Sequence, residues 1–153
     1  MKKKVLFVCL GNICRSPTAQ GVFDKYIKDR GLSNKFKSDS CDTSSWHVGS
    51  PADSRSAAHA EKRGYDLSEY RGRQVDFGDF YEFDLILAMD ETNYEDLISI
   101  APSEMTHKVK LMLDYGNSGI KSVPDPYYKG EDGFEEVLDL LEGAINGLLM
   151  VES

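Results

Sequence analysis

A cysteine lies six positions ahead of an arginine and seven ahead of a serine in the run Cys9-Leu10-Gly11-Asn12-Ile13-Cys14-Arg15-Ser16. These groups can attack and hold a tetrahedral anion. A short loop leading from a strand end into a helix N-terminus can curl so that successive backbone N–H groups point inward. With the helix dipole behind them, such a concavity binds an oxyanion. Gly11 and Asn12 tolerate the left-handed backbone that the curl demands, and the planar fork of Arg15 can span two phosphate oxygens. The same positive surroundings favour thiolate over thiol: a free cysteine titrates near ~8.5, and helix N-termini or cationic neighbours bring it to roughly 3.5–7.5. Ser16 is placed to donate a hydrogen bond to the sulfur. Cys9 is thus a candidate nucleophile, Arg15 a phosphate clamp, and Leu10, Gly11, Asn12, Ile13, Cys14 and Ser16 the cradle of the anion. Taken alone, Cys9 reads as a small buried apolar residue ending a strand. The strand before it, the Gly-Asn turn and the Ser-Pro helix start favour the cradle. The run is not a Walker loop, since no Gly-Lys-Ser/Thr follows.

Attack on phosphorus also needs a proton donor for the departing oxygen. Val123-Pro124-Asp125-Pro126-Tyr127-Tyr128 offers an acid held between two prolines, which limit backbone freedom around a side chain that must be aimed. An ordinary Asp-Pro turn accounts for the same residues equally well. Cys14 can form a disulfide with an oxidised Cys9 and spare it from sulfinic acid; simple packing against the loop is the competing reading. His47, His59 and His107 have no metal-ligand spacing and read as structural or surface residues. Glu131-Asp132 and Glu135-Glu136 read as solvated faces and helix N-terminal charge. No metal and no cofactor are expected.

These groups need elements to position them. Val5-Leu6-Phe7-Val8 is a continuous apolar run, as in a strand buried on both faces of a parallel sheet. Ser16-Pro17 opens a helix with Ser16 as N-cap; Ala19, Val22, Phe23, Tyr26 and Ile27 form its buried stripe, and Gly31 stops it. Phe36 to Cys41 is a weaker, more polar strand expected at an edge. Ala57 to Arg63, closed by Gly64, reads as a helix, and Phe83 to Met89 as a second strong strand. Asp90 caps a helix reaching about Ile98, Val109 to Leu113 is another strand, and Phe134 to Leu149 carries the stripe of a long final helix. Strands alternating with helices imply an α/β layer fold with right-handed crossovers. Its ligand site is expected beyond the carboxyl ends of the strands, where Cys9 to Ser16 falls.

The 153 residues fit one domain, 1–153. A net charge of −8, from 26 acidic and 18 basic residues, argues against nucleic acid or an anionic membrane as partner. No window approaches the roughly 20 apolar residues of a membrane-spanning helix. The apolar run behind Lys2-Lys3-Lys4 ends at Gly11-Asn12, too early for a signal peptide. Three cysteines are a poor disulfide framework, and a cytoplasmic address with reactive thiols is expected.

Val5-Leu-Phe-Val-Cys9-Leu-Gly-Asn-Ile-Cys14-Arg15-Ser16-Pro17 together with Asp125-Pro126-Tyr127-Tyr128 closely resembles the low-molecular-weight protein tyrosine phosphatases. The resemblance extends along the chain through Asp39-Ser40, Trp46-His47-Val48-Gly49, Asp53-Ser54-Arg55, Arg73-Gln74 and Ala88-Met89-Asp90-Glu91. It implies a four-stranded parallel sheet flanked by helices on both faces, with a phosphate-binding loop after the first strand. It also implies phosphotyrosine hydrolysis through a phosphocysteine on Cys9, with Arg15 as clamp and Asp125 as general acid and then base. Asn12 would hold the loop through a polar network including Ser40 and Ser16, and Trp46 and Tyr127 would wall a crevice for an aromatic ring. Three positions depart from the family pattern: Gln20 where an acid is common, expected as a surface change, Cys41 where a small residue is usual, and Tyr70 where many members have His.

The implied partners are tyrosine-phosphorylated proteins, with inorganic phosphate or other oxyanions in the loop. A signalling role and a monomer are expected, a weak dimer being the alternative. Two other activities compete. An arsenate reductase of this fold would need relay cysteines, and none follows Cys41. A phosphotyrosine-binding module would not need Cys9, Arg15 and Asp125 together. Related phosphoarginine enzymes commonly carry Thr at the position of Ile13, so Ile13 favours phosphotyrosine.

Overall fold

The computed structural model of the chain describes residues 1–10, 13–126 and 130–153. Four strands, β1 (Lys3–Cys9), β2 (Phe36–Asp42), β3 (Leu85–Ala88) and β4 (Val109–Leu111), form one parallel sheet in the order β2-β1-β3-β4. Val5 to Cys9 are all buried because β1 is central and covered on both faces. The polar β2 lies at an edge, as its composition predicts.

Among the described residues five α-helices accompany the sheet: α1 (Arg15–Asp29), α2 (Ser54–Lys62), α3 (Asp79–Glu82), α4 (Glu91–Ile100) and α5 (Glu131–Glu152). On one face Val5, Phe7, Leu85 and Leu87 meet Val22 and Phe23 of α1 and Leu141 and Ile145 of α5. On the other, Leu6, Val8, Ile86 and Ala88 meet Phe80 of α3 and Leu97 of α4. β2 and β3 lie on opposite sides of β1, so the strand order reverses between β1 and β3 and opens a crevice beyond their carboxyl ends.

α1 begins at Arg15, with Cys14 as N-cap and, among the described residues, no side chain capping it. Ser16 is therefore inside the first turn rather than at the cap, and its hydroxyl is turned to Cys9 instead. Asp53 caps α2 by accepting from the amides of Arg55 and Ser56, which starts that helix three residues ahead of the expected Ala57. β4 is shorter than expected, because Met112–Tyr115 winds into a 3-10 turn. The 3-10 turn Ser103–Lys108 and the one-turn α3 were not foreseen; neither is long enough to display a helical period.

α5 is tied to α2 from outside. The Arg63 guanidinium donates to Glu142 at 2.7 Å and Glu135 at 2.6 Å and pairs with Asp139 at 3.0 Å, while the His59 ring donates to Glu135 and stacks on Phe134. Gly147 lets α5 approach the Met112–Tyr115 turn: a Cβ there would come within 1.9 Å of the Tyr115 carbonyl oxygen.

Candidate active site

β1 ends at Cys9, whose side chain is 1% exposed at the mouth of the crevice. α1 starts at Arg15 and returns Ser16 beneath the sulfur: Ser16 Oγ is 3.0 Å from Cys9 Sγ and 3.5 Å from the Cys41 carbonyl oxygen. The hydroxyl has one proton, which it gives to the carbonyl when the sulfur is a thiol and to the sulfur when it is ionised. Arg15 is buried, and its NH1 donates to Asp90 Oδ2 at 2.6 Å and to the Val123 carbonyl at 3.0 Å. Burial pulls the Arg15 pKa down, but Cys9, Asp90 and Asp125 outweigh it and the guanidinium is held more firmly charged than usual.

The sulfur departs from expectation. Burial pushes the Cys9 thiol above its ordinary value; Arg15 and the Ser16 hydroxyl pull it down without overcoming desolvation, and Asp42 adds to the rise. The sequence predicts a depressed thiol because it displays the cation and not the depth of the site. Nor does it display the Asp90 carboxylate that shares the cation's field.

Beside the sulfur, the Asp53 amide donates to the Ile13 carbonyl at 2.6 Å, so the α2 cap braces the loop. The Cys14 thiol bonds the Ser56 hydroxyl, and burial pushes it up to about 12. Leu10 is exposed at the mouth. Trp46, 74% exposed, stands on the segment after β2, where the Thr43 amide donates to the Cys9 carbonyl at 3.2 Å. Ser40 is buried one residue before Cys41. Gly11, Asn12 and Tyr127 lie outside the described residues.

The segment bearing Asp125 is fixed by Val123, whose amide donates to the Met89 carbonyl at 2.7 Å and whose carbonyl accepts from Arg15. Asp125 is exposed, and its charge acts on both Arg15 and Cys14, which brings acid, cation and loop to one end of the sheet. Asp90 was legible in the sequence only as a helix cap. It does cap α4, accepting from the Asn93 amide at 2.7 Å, but its second oxygen holds Arg15. Its place directly after a buried strand, at the sheet's carboxyl edge, was the available signal.

Gln20 is not at the surface: it is 6% exposed and accepts from Ser40 Oγ at 2.7 Å. Tyr70 donates to Asp24 Oδ2 at 2.6 Å. Among the described residues, no group of three or more His, Cys, Asp or Glu could hold a metal ion. Among them, too, no helix is long and apolar enough to cross a membrane.

The family model described as low molecular weight phosphotyrosine protein phosphatase matches residues 4–152. A low molecular weight protein-tyrosine-phosphatase of Streptomyces coelicolor is 42% identical, over 97% of this chain and 93% of its own length. The human low molecular weight phosphotyrosine protein phosphatase is 41% identical, over 88% and 86%. The crystal structure of a protein tyrosine phosphatase from Entamoeba histolytica, with Hepes in its active site, superimposes with a TM-score of 0.94 at 43% identity, over 97% of this chain and 96% of that one.

Proposed function

The chain belongs to the low molecular weight phosphotyrosine protein phosphatase family, and from that membership we propose how its own residues divide the work of hydrolysing phosphotyrosine through a phosphocysteine. Cys9 is the nucleophile, Arg15 the clamp on the phosphate oxygens, and Asp125 the acid and then the base. The observation that carries this division is the pairing of Cys9 Sγ with Ser16 Oγ at 3.0 Å directly ahead of the α1 N-terminus that bears Arg15.

The phosphate dianion lies against the first-turn amides of α1, which have no acceptor within their own helix. Asp90 and the Val123 carbonyl hold one end of the guanidinium, which aims its fork. Ionised Cys9 attacks phosphorus in line, with Ser16 donating to the sulfur. Asp125 protonates the departing phenolate, whose conjugate acid titrates near ~10. The carboxylate so formed takes a proton from water, which cleaves the S–P bond and releases phosphate and thiolate. Most of the rate comes from positioning and from charge stabilisation of the equatorial oxygens.

Leu10, Gly11, Asn12, Ile13 and Cys14 complete the cradle, Asn12, Ser16 and Ser40 support it, and Trp46 and Tyr127 wall the crevice for the ring. The oxyanion reading is supported by the Entamoeba histolytica enzyme, which holds Hepes in its active site. We read the chain as a single phosphatase domain over 1–153 that acts as a monomer in signalling on tyrosine-phosphorylated proteins; free Cys9, Cys14 and Cys41 are consistent with a cytoplasmic address. Cys14 is the resolving thiol if Cys9 is oxidised.

A panel of phosphotyrosine, phosphoserine, phosphoarginine and arsenate, run on wild type and Cys9→Ser, tests the assignment. Wild type is expected to cleave phosphotyrosine fastest and to yield an acid-quenched phosphoenzyme labelled at Cys9. Cys9→Ser is expected to bind phosphate without turnover. Turnover by Cys9→Ser, or preference for phosphoarginine or arsenate, would overturn it.

A further inference from the structure

Trp46 is the one tryptophan of the chain, and its ring is largely exposed, so packing does not hold it. Where the indole stands is decided by the backbone that carries it. At the far end of that segment the Gly49 amide donates to the Gly72 carbonyl at 2.7 Å, and the Gly72 amide to the Ser50 carbonyl at 2.8 Å. At the near end the Asp42 amide donates to the Arg73 carbonyl at 2.9 Å, and the Val75 amide to the Asp42 carbonyl at 2.7 Å. The Thr43 amide donates to the Cys9 carbonyl at 3.2 Å.

From this fixed near end the Asp42 side chain reaches forward along the chain. Its Oδ1 accepts from the Ser44 amide at 2.9 Å and its Oδ2 from the Ser44 hydroxyl at 2.8 Å. The Trp46 amide in turn donates to Ser44 Oγ at 3.4 Å. A carboxylate only accepts, and a hydroxyl has one proton to give. The Ser44 proton is committed to Asp42, which leaves lone pairs for the Trp46 amide. Asp42 itself is 2% exposed and lies in register with Cys9 across β1 and β2. The carboxylate is therefore anchored to the strand pair that ends at the nucleophile, and Ser44 carries that anchorage out to Trp46.

We propose that Asp42 and Ser44 are positioning residues for Trp46: the buried carboxylate orients the Ser44 hydroxyl, which holds the Trp46 amide and so stands the indole at a fixed place relative to Cys9 to meet the substrate. This rests on the reading of Trp46 as a wall of the substrate crevice. Neither residue touches a reacting atom, so the effect falls on how the substrate is held rather than on transfer of its phosphoryl group.

Ser44→Ala removes the hydroxyl at a half-buried position and leaves every charge in place. It is expected to raise KM for a phosphotyrosine peptide roughly two- to tenfold, the worth of one hydrogen bond, with kcat moved less. Ser44→Thr keeps the hydroxyl and is expected to restore KM. In a Trp46→Ala background Ser44→Ala should cost nothing further, because the two act along one path. Fluorescence of the single indole reads its nanosecond motion without any turnover. Its anisotropy is expected to decay faster in folded Ser44→Ala and Asp42→Ala than in wild type, and in Ser44→Thr to match wild type. Unchanged anisotropy in whichever alanine variant folds overturns the inference, as does an unchanged peptide KM in Ser44→Ala or an equal rise in KM with Trp46 already gone. A Trp46→Ala protein with wild-type KM would overturn Trp46 as a crevice wall and the inference with it, a failure that shows on a variant in which Asp42 and Ser44 are intact.

Discussion

Replacing Asp90 by Asn separates the two duties of that residue. The amide oxygen can still accept from the Asn93 backbone, so the α4 cap survives, but Arg15 loses its counter-charge. The Arg15 side chain is 5% exposed and that of Asp90 22%. Breaking a fully buried pair costs about 3–5 kcal/mol by stranding the remaining charge; because Asp90 reaches water, about 2–3 kcal/mol is expected. For a chain of this length that is roughly 5–10 °C in Tm. The guanidinium then keeps only the more distant charge of Asp125 and of ionised Cys9, and an anionic ligand replaces the contact it has lost. Phosphate is expected to bind the variant more tightly, and a tenfold gain returns about 1.4 kcal/mol at equal saturating concentration. Thermal unfolding of wild type and Asp90→Asn, each with and without saturating phosphate, reads both effects. The Tm gap should narrow in phosphate while kcat/KM stays depressed, since the clamp is no longer aimed. An identical gap in both buffers, or a variant as stable as wild type, refutes the account of Arg15.

Asp125→Ala is expected to lose about 10²–10⁴ in kcat on phosphotyrosine and much less on p-nitrophenyl phosphate, whose leaving group departs without a proton; equal losses on the two substrates would remove Asp125 from the acid role. Cys14, with its thiol pushed up to about 12, should resist iodoacetamide at pH 7.5 when phosphate shields Cys9. Its alkylation should quicken about tenfold per pH unit toward 12 rather than level off near the ~8.5 of a free thiol, and a plateau near pH 9 by peptide mass spectrometry would contradict this. Gly72→Ala would put a Cβ 2.2 Å from the His47 carbonyl oxygen, forcing the segment that bears Trp46 to shift at a cost of about 1–3 kcal/mol. KM should rise more for phosphotyrosine peptides than for p-nitrophenyl phosphate, and an unaltered KM ratio at reduced stability would detach Trp46 from substrate recognition.

Where one residue's neighbours are close in sequence, the chain could be read directly. Val5 to Val8 are apolar without alternation because β1 is covered twice, and Gly31 and Gly64 end helices in the positive-φ conformation their type allows. The α5 stripe from Phe134 to Leu149 matches the buried set because a long helix repeats its period enough times to be recognised. What stayed hidden depends on residues distant in the chain. Arg15 meets Asp90 across 75 positions, Gln20 is buried by a strand whose own polarity suggested exposure, and the burial that pushes the Cys9 thiol up against the pull of Arg15 comes from the whole fold. Ser16 was expected as the cap and lies two positions inside it, because its partner is a sulfur rather than its own helix.

The tie between Arg63 and the outer side of α5 has a consequence in salt. Val123 is pinned to the sheet on one side of the site, and on the other Glu135 and Phe134 fasten the first turn of α5 to α2. Salt that screens these surface ion pairs loosens the start of α5 from α2 while the buried stripe of the same helix stays packed on the sheet.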